Sequence, residues 1–171
     1  MKILTRQRNS KMCIICGLDN PAGVQAPFYS MADGSVISLF QFRPEHQSYP
    51  QRVHGGMITA MLDEMGLRGF WAHELSEKCF GVTMSIQCDL RKPVPYDEPL
   101  IARGVVTHDS SRFFAVDAAI YRQNGERLAN GVVKYIKLDV EKIVTNGMTV
   151  HEQMPYLIED SRREIDFEPE K

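Results

Sequence analysis

One long apolar stretch stands out against the short alternating runs of this chain. Residues 57–72 are mostly apolar and follow the spacing of a helix, so we predict one helix over about 55–73. The stretch is apolar around most of the helix circumference, which indicates that other elements enclose the helix. Two glycines, Gly55 and Gly56, stand at its start, although glycine is a poor helix residue.

Short runs with a period of two surround the helix, and they are typical of half-buried antiparallel strands. Two runs precede the helix and four follow it: 28–31, 35–42, 79–91, 100–107, 112–122 and 128–138. Their connections are short, and Asn124-Gly125 is a strong hairpin signal, so no crossover helix is needed. The pattern predicts an α+β fold, in which one long central helix is wrapped by an antiparallel sheet of about five to six strands.

The two ends of the chain differ from this central part. Residues 1–12 are polar, so we predict a flexible N-terminal segment, followed by the main domain over 13–138. Residues 139–171 are predicted to be a C-terminal extension without clear apolar periodicity, in which only 154–163 could form a short helix. The length of 171 residues suits one domain.

Charge and composition exclude several classes of function. The net charge is −2, and no basic surface for nucleic acid is expected. No apolar run approaches the roughly 18 residues of a membrane span, and the N-terminus lacks the apolar core of a signal peptide. The four cysteines do not form the pattern of a secreted disulfide framework. We therefore expect a cytoplasmic protein without nucleic-acid or membrane partners.

The start of the helix carries the candidate chemistry. The backbone N–H groups of Gly55 and Gly56 lie at the positive end of the helix dipole, where they can stabilise negative charge on an oxygen. Asp63, nine residues after His54, shares a helix face with mostly small residues, which leaves room for a ligand beside its carboxylate. One short segment is thus expected to supply both groups of an acyl-transfer site, the backbone donors and the carboxylate.

Some of these residues also have structural explanations. Glu64 stands four residues before Arg68, in the order that favours a local ion pair. His54 could be a base, a metal ligand or a residue that fixes the loop before the helix, which is the commonest role of a lone histidine. Cys13 and Cys16 are half of a zinc site, and two chains could pool their pairs. Because the chain has no second CxxC or HxxxH, we predict no metal and two buried thiols in a turn.

A wider set of motifs is shared with one enzyme family. His54-Gly55-Gly56, with an acid nine residues after the histidine, resembles the hotdog-fold acyl-CoA thioesterases of the phenylacetate-pathway and 4-hydroxybenzoyl-CoA type. The resemblance extends to other motifs within about 13–138: Cys13-x-x-Cys16-Gly17, Asn20-Pro21-x-Gly23, His46-Gln47-x-Tyr49-Pro50, Gly81-Val82-Thr83 and Arg91-Lys92-Pro93-Val94-Pro95.

The resemblance implies hydrolysis of a small aryl- or short- to medium-chain acyl-CoA. Asp63 matches the family's catalytic carboxylate, either nucleophile or general base, and the N–H of Gly55, helped by Gly56, matches the donor that polarises the thioester carbonyl. Thr83 matches a residue that assists the acid, and His54 matches one that shapes the loop. The resemblance also implies a homodimer with the site between subunits, which can pair into a tetramer, and no cofactor beyond the coenzyme A of the substrate.

Substrate-binding residues are expected in the same region: Gln47, Met57, Glu64, Arg91 and Lys92. Gln47 is the loop residue that best matches a carbonyl-binding amide of the family. Met57, together with Met61 and Met65, could line a slot for the acyl group or form ordinary core packing. Arg91 and Lys92 are candidates for the phosphates of coenzyme A.

Strand parity adds one expectation about Thr83. It falls on the polar side of its strand, opposite to Val82 and Met84. If these apolar neighbours cover the helix of their own subunit, Thr83 cannot reach Asp63 there, and the partner subunit must supply the pairing.

Two functions of other classes remain open at this point. One is a non-catalytic acyl-CoA-binding or regulatory protein on the same fold, because a fold alone does not establish an activity. The other is a hydratase on a hotdog scaffold, which usually needs an aspartate and a histidine that act together.

Overall fold

A single helix lies against a large antiparallel sheet in the computed structural model, which describes residues 1–76, 79–139 and 150–170. The strands are β1 (Ile3–Arg6), β2 (Tyr29–Met31), β3 (Val36–Gln41), β4 (Gln47–Tyr49), β5 (Arg52–Val53), β6 (Cys79–Leu90), β7 (Pro99–Asp109), β8 (Phe113–Arg122) and β9 (Arg127–Asp139). The helices are α1 (Gly55–Glu74) and the short α2 (Val150–Gln153), with a 3₁₀ turn at Pro44–His46.

Seven of the strands form the main sheet, in the order β1-β2-β3-β7-β8-β9-β6, and β4 and β5 form a separate hairpin just before α1. All neighbouring pairs are antiparallel. The predicted α+β architecture is confirmed, and the sheet exceeds the expected five to six strands because β1 joins it. β6, the strand that follows α1, forms one edge of the sheet.

The N-terminal segment 1–12, predicted to be flexible, contains β1, and β1 pairs with β2. Hydrogen bonds from polar side chains fix this segment, so its polar composition is compatible with an ordered structure. The Asn9 amide donates to the carbonyls of Cys16 and Ala26, and the Gln7 amide donates to the carbonyl of Arg68. Buried polar groups with satisfied hydrogen bonds are compatible with a core. The division into domains at 13 and 138 stays a prediction.

One face of the sheet packs against α1, as the apolar circumference of the helix predicts. Met61, Leu62 and Met65 are fully buried there, and a Cβ on Gly104 of β7 would lie 2.8 Å from the carbonyl oxygen of Met65. Glycine therefore lets the helix and the sheet approach closely. Within the described ranges, no helix is both long and apolar enough to cross a membrane.

Two residues of the C-terminal segment pack on the opposite face of the sheet. Ile165 and Phe167 are buried there against residues that include Tyr29 and Tyr121. Residues 154–163, which could have formed a short helix, form none, and Tyr156 instead bridges Asn9 of the N-terminal segment. Their contacts are with distant residues, which local periodicity does not record.

Candidate active site

The carboxylate of Asp63 is held through one of its two oxygens. Oδ1 accepts hydrogen bonds from the Thr83 hydroxyl at 2.8 Å and the Tyr135 hydroxyl at 3.0 Å. In the part of the chain that the structure describes, no hydrogen bond reaches Oδ2. Asp63 is only partly buried on α1. A carboxylate oriented through one oxygen can use the other to attack a carbonyl or to accept a proton from water.

Tyr135 on β9 is a member of this site that the sequence analysis missed. Its hydroxyl also contacts the main-chain oxygen of Asp63. Burial, followed by the charge of Asp63, raises the pKa of Tyr135, so the hydroxyl stays protonated and remains a donor. One signal was available, because an inward-facing tyrosine on a predicted strand needs a polar partner.

Two features position the Tyr135 ring. Its ring stacks on Phe114 at a centroid distance of 4.7 Å, and Phe114 stacks on Phe70 of α1 at 4.2 Å. Gly66 lies beside the hydroxyl, where a Cβ would be only 2.1 Å from the tyrosine oxygen. Glycine at 66 is therefore required for Tyr135 to reach Asp63, one turn earlier on the helix.

Thr83 meets Asp63 of its own chain because β6 contains a bulge. The register with β9 shifts between Thr83 and Ser85, which stand opposite Tyr135 and Lys134. A bulge inserts one residue and reverses which face the following side chains occupy. Val82 and Met84 are exposed, at 43% and 57%. The expectation that only a partner subunit could pair Thr83 with Asp63 is therefore wrong.

At the start of α1, His54 acts as the N-cap. Its Nδ1 accepts a hydrogen bond from the N–H of Gly56 at 2.9 Å. This bond supports the loop-fixing explanation of His54, and it occupies the N–H of Gly56. The N–H of Gly55 has no acceptor among the described residues, so it is available to a ligand oxygen at the positive end of the helix.

Contacts between α1 and β6 connect these two regions. A Cβ on Gly55 would lie 3.1 Å from Leu90, and the Thr59 side chain interacts with the Cys88 thiol. Further along the helix, Asp63 meets Thr83, so α1 and β6 run in opposite directions. Gly55 and Asp63 are eight residues apart on one helix, which is about 12 Å at 1.5 Å per residue. A single carbonyl cannot meet both groups at about 3 Å. The two halves of the predicted site therefore do not converge within one chain.

Known proteins share this domain. The model of the thioesterase superfamily matches residues 51–129, from just before α1 to the start of β9. This part of the chain is similar to the thioesterase superfamily, and the chain has the hotdog fold. Acyl-coenzyme A thioesterase THEM4 of Rattus norvegicus is 26% identical over 122 residues, which are 70% of this chain and 50% of that protein. The chain thus spans about half the length of this curated relative.

Solved structures share the hotdog fold with this domain. A Streptococcus mutans protein bound to acetyl CoA has a TM-score of 0.54 and 20% identity, over 62% of this chain and 82% of that chain. A thioesterase protein of Streptococcus pneumoniae, solved with coenzyme A, has a TM-score of 0.57 and 19% identity, over 67% of this chain and 86% of that chain.

Two predicted substrate-binding residues occupy different surroundings in this hotdog domain. Met57 is partly buried near the helix start, whereas Met61 and Met65 belong to the fully buried core. Glu64 forms the predicted ion pair with Arg68, with 2.9 Å between Oε1 and Nε, and its Oε2 faces the Cys13 thiol at 3.7 Å. Both of its oxygens thus have partners within the chain, and a substrate-binding role for Glu64 stays a prediction.

The remaining predicted binding residues lie on the surface near the helix start. Gln47 is exposed on β4, opposite Val53, which precedes His54. Arg91 directly follows Leu90 and is exposed, 3.6 Å from Asp89. Lys92 is 2.8 Å from Glu126. Their roles in substrate binding stay predictions.

Proposed function

We propose that this hotdog domain hydrolyses an acyl-CoA thioester to a free acid and coenzyme A. The observation that carries the proposal is the carboxylate of Asp63. Thr83 and Tyr135 bind its Oδ1, and no hydrogen bond from the described residues reaches its Oδ2. The match to the thioesterase superfamily and to an acyl-coenzyme A thioesterase supports this chemistry. The two similar structures with acetyl CoA and coenzyme A support the substrate class.

The carbonyl carbon is attacked either by Oδ2 of Asp63 or by a water that Asp63 deprotonates. In the first route a mixed anhydride forms, coenzyme A leaves as its thiol, and water then releases the acid. In the second route the water adds to the carbonyl as its proton passes to Asp63, and the tetrahedral intermediate then expels coenzyme A as a thiolate that takes up this proton. In both routes a backbone N–H polarises the thioester oxygen, and one such preorganised donor lowers the barrier by about 3 kcal/mol.

The backbone N–H that polarises the thioester oxygen comes from Gly55 of the partner subunit. The separation of about 12 Å between Gly55 and Asp63 on one helix supports this arrangement. β6 is an edge strand with exposed apolar side chains, and such an edge is suited to pair with a second β6. Antiparallel pairing about a two-fold axis near Ile86 and Gln87 would bring Leu90 of the partner subunit, and with it the partner's Gly55, towards Asp63.

Substrate recognition follows from the same geometry. The free N–H of Gly55, the partly buried Met57 and the exposed Gln47 surround the helix start, where the thioester and a small aryl or short- to medium-chain acyl group would lie. Arg91 is the better candidate for a phosphate of coenzyme A, because its ion pair with Asp89 is longer, at 3.6 Å, than that of Lys92 with Glu126, at 2.8 Å. The His-Gly-Gly motif is the reason to favour the phenylacetate-pathway and 4-hydroxybenzoyl-CoA type.

The test is coenzyme A release with a thiol-trapping dye, using phenylacetyl-, hydroxybenzoyl-, short-chain and medium-chain CoA. Asp63→Asn should lower kcat at least about 100-fold. Asp117→Asn is the matched control, because Asp117 is exposed on β8 among residues of the other sheet face. Equal turnover by wild type and Asp63→Asn would refute the role of Asp63. Tight binding of an acyl-CoA without turnover by the wild type would instead support the non-catalytic binding protein.

A further inference from the structure

A tight turn presents the two N-terminal cysteines to α1. Within it, the N–H of Gly17 donates to the carbonyl of Cys13 at 2.8 Å. A Cβ on Gly17 would lie 2.5 Å from that carbonyl oxygen, so the turn requires glycine. The N–H groups of Ile15 and Cys16 point at Cys13 Sγ, at 3.3 and 3.5 Å. Such donors stabilise a thiolate, which is the form of cysteine that binds metals.

Glu64 of α1 completes a group of three metal-binding side chains with these cysteines. The Sγ atoms of Cys13 and Cys16 and a carboxylate oxygen of Glu64 all lie within 4.8 Å of one another. Ligands of a tetrahedral zinc ion, with Zn–S near 2.3 Å, are about 3.8 Å apart. Small side-chain rotations therefore suffice to place the three atoms around one ion.

The positive charge of Arg68 beside this cluster also favours a bound metal ion with anionic ligands. Arg68 is fully buried beside this cluster, where it pairs with Glu64 and donates to the carbonyl of Arg8 at 2.7 Å. Its Nη2 is buried without a hydrogen-bond partner. A buried donor of this kind needs an acceptor. Two thiolates and one carboxylate around a dication carry one net negative charge, which Arg68 would neutralise.

We propose that Cys13, Cys16 and Glu64 bind one divalent cation of the zinc class. The two thiols lose their protons to solvent when the ion binds, and Cys16 then becomes a thiolate that can accept from Arg68. The Ser10 hydroxyl, 3.3 Å from Cys16 Sγ, or a water supplies the fourth ligand. The ion would join the N-terminal segment to α1, one residue after Asp63. The sequence analysis predicted no metal because the third ligand is 48 residues from Cys16.

Cobalt is a spectroscopic probe of this site, because thiolate–Co²⁺ bonds absorb in the near ultraviolet. The full chain, reduced and freed of metal with a chelator, should develop this absorption with one equivalent of Co²⁺ and lose it when Zn²⁺ is added. Cys13→Ser and Cys16→Ser should abolish the absorption, and Glu64→Gln should weaken binding at least tenfold. Folded wild type without thiolate absorption in excess Co²⁺ would overturn the proposal.

Two control variants separate this site from other metal-binding groups. Cys79→Ser alters a cysteine outside the cluster and should keep the absorption. His73, Glu74 and Asp109 form a second, exposed group that could also hold an ion. His73→Ala disrupts this group, and the variant should still show the absorption. Loss in Cys79→Ser that equals the loss in Cys13→Ser would contradict the assignment.

Alkylation gives a measurement on the wild type alone, should the cysteine variants fail to fold. Zn²⁺ should slow the labelling of Cys13 and Cys16 by iodoacetamide at least tenfold and leave that of Cys79 and Cys88 unchanged, as measured by peptide mass spectrometry. Equal labelling of Cys13 and Cys16 with and without Zn²⁺ would overturn the proposal. These readouts do not use thioesterase activity, so the site and the proposed function can fail separately.

Discussion

Tyr135 donates a 3.0 Å hydrogen bond to Asp63 Oδ1, across a position where only glycine leaves room. Gly66 is that position, and a side chain there would occupy the place of the tyrosine hydroxyl. The bond therefore links a strand of the sheet to the carboxylate on the helix, and it leaves the second carboxylate oxygen of Asp63 for chemistry.

The hydroxyl of Tyr135 should contribute to catalysis by orienting Asp63. Tyr135→Phe removes the donor and keeps the stacked ring, so we expect kcat to fall about 10- to 100-fold, as the loss of one hydrogen bond to a charged group predicts. KM and the melting temperature should change little. Tyr121→Phe is a control, since Tyr121 lies in the second core cluster on the other sheet face. An unchanged kcat in Tyr135→Phe, with Asp63→Asn inactive, would contradict this role.

Proline at position 55 tests the backbone donor directly. Gly55→Pro removes the N–H at the first helical position, where proline is favoured, and the extended His54 (φ −63°, ψ 133°) is compatible with a following proline. We expect kcat to fall about 100- to 1,000-fold. Gly55→Ala keeps the N–H and introduces the same Cβ contact with Leu90, so it should remain much more active. Equal losses in the two variants would indicate a steric effect and not a lost donor.

Subunits with complementary defects should restore one site. In a mixed dimer of Asp63→Asn and Gly55→Pro chains, the intact Asp63 of one chain faces the intact Gly55 of the other. One of the two sites is then complete, so the purified mixed dimer should have about half the wild-type activity, whereas each homodimer is inactive. Differently tagged chains, expressed together and purified through both tags, allow this measurement. No recovery in a stable mixed dimer would place both groups in the same chain.

Asp160 should make the attachment of the C-terminal segment sensitive to acid. Burial raises the pKa of Asp160, but the Arg162 N–H, the Tyr29 hydroxyl and the Arg6 guanidinium outweigh this and hold the pKa at about 2. Because the folded-state pKa is below the ordinary value of 3.8, the stabilisation is present above pH 3.8 and is lost as the pH falls towards 2.

Asp160→Asn should therefore lower the melting temperature at pH 7 by about 2–4 °C, and by less at pH 3. Asp166→Asn alters an exposed carboxylate of the same segment and should show no such difference. Thermal unfolding of the three proteins at both pH values measures the effect. A shift for Asp160→Asn that is as large at pH 3 as at pH 7 would rule out the charge as its cause.

Local sequence determined α1, the hairpin of β2 and β3 and the strands that follow the helix. Helical and strand periods depend on neighbouring residues, so they can be read without the fold. The same is true of the His54 cap, which acts over two residues. Asp63 could be selected because small residues and no local cation share its helix face, and the structure places its carboxylate against Thr83 of β6.

The tertiary structure decided what surrounds Asp63 and Glu64. A single bulge in β6 turned Thr83 towards the helix, and no residue type announces a bulge at that position. Tyr135 reaches Asp63 from 72 residues away along the chain, and Cys13 reaches Glu64 from 51 residues away. The helical rise, in turn, separates Gly55 from Asp63 although they are close in sequence. Periodicity predicts which face a residue occupies, but only the packing of distant segments determines what that face meets.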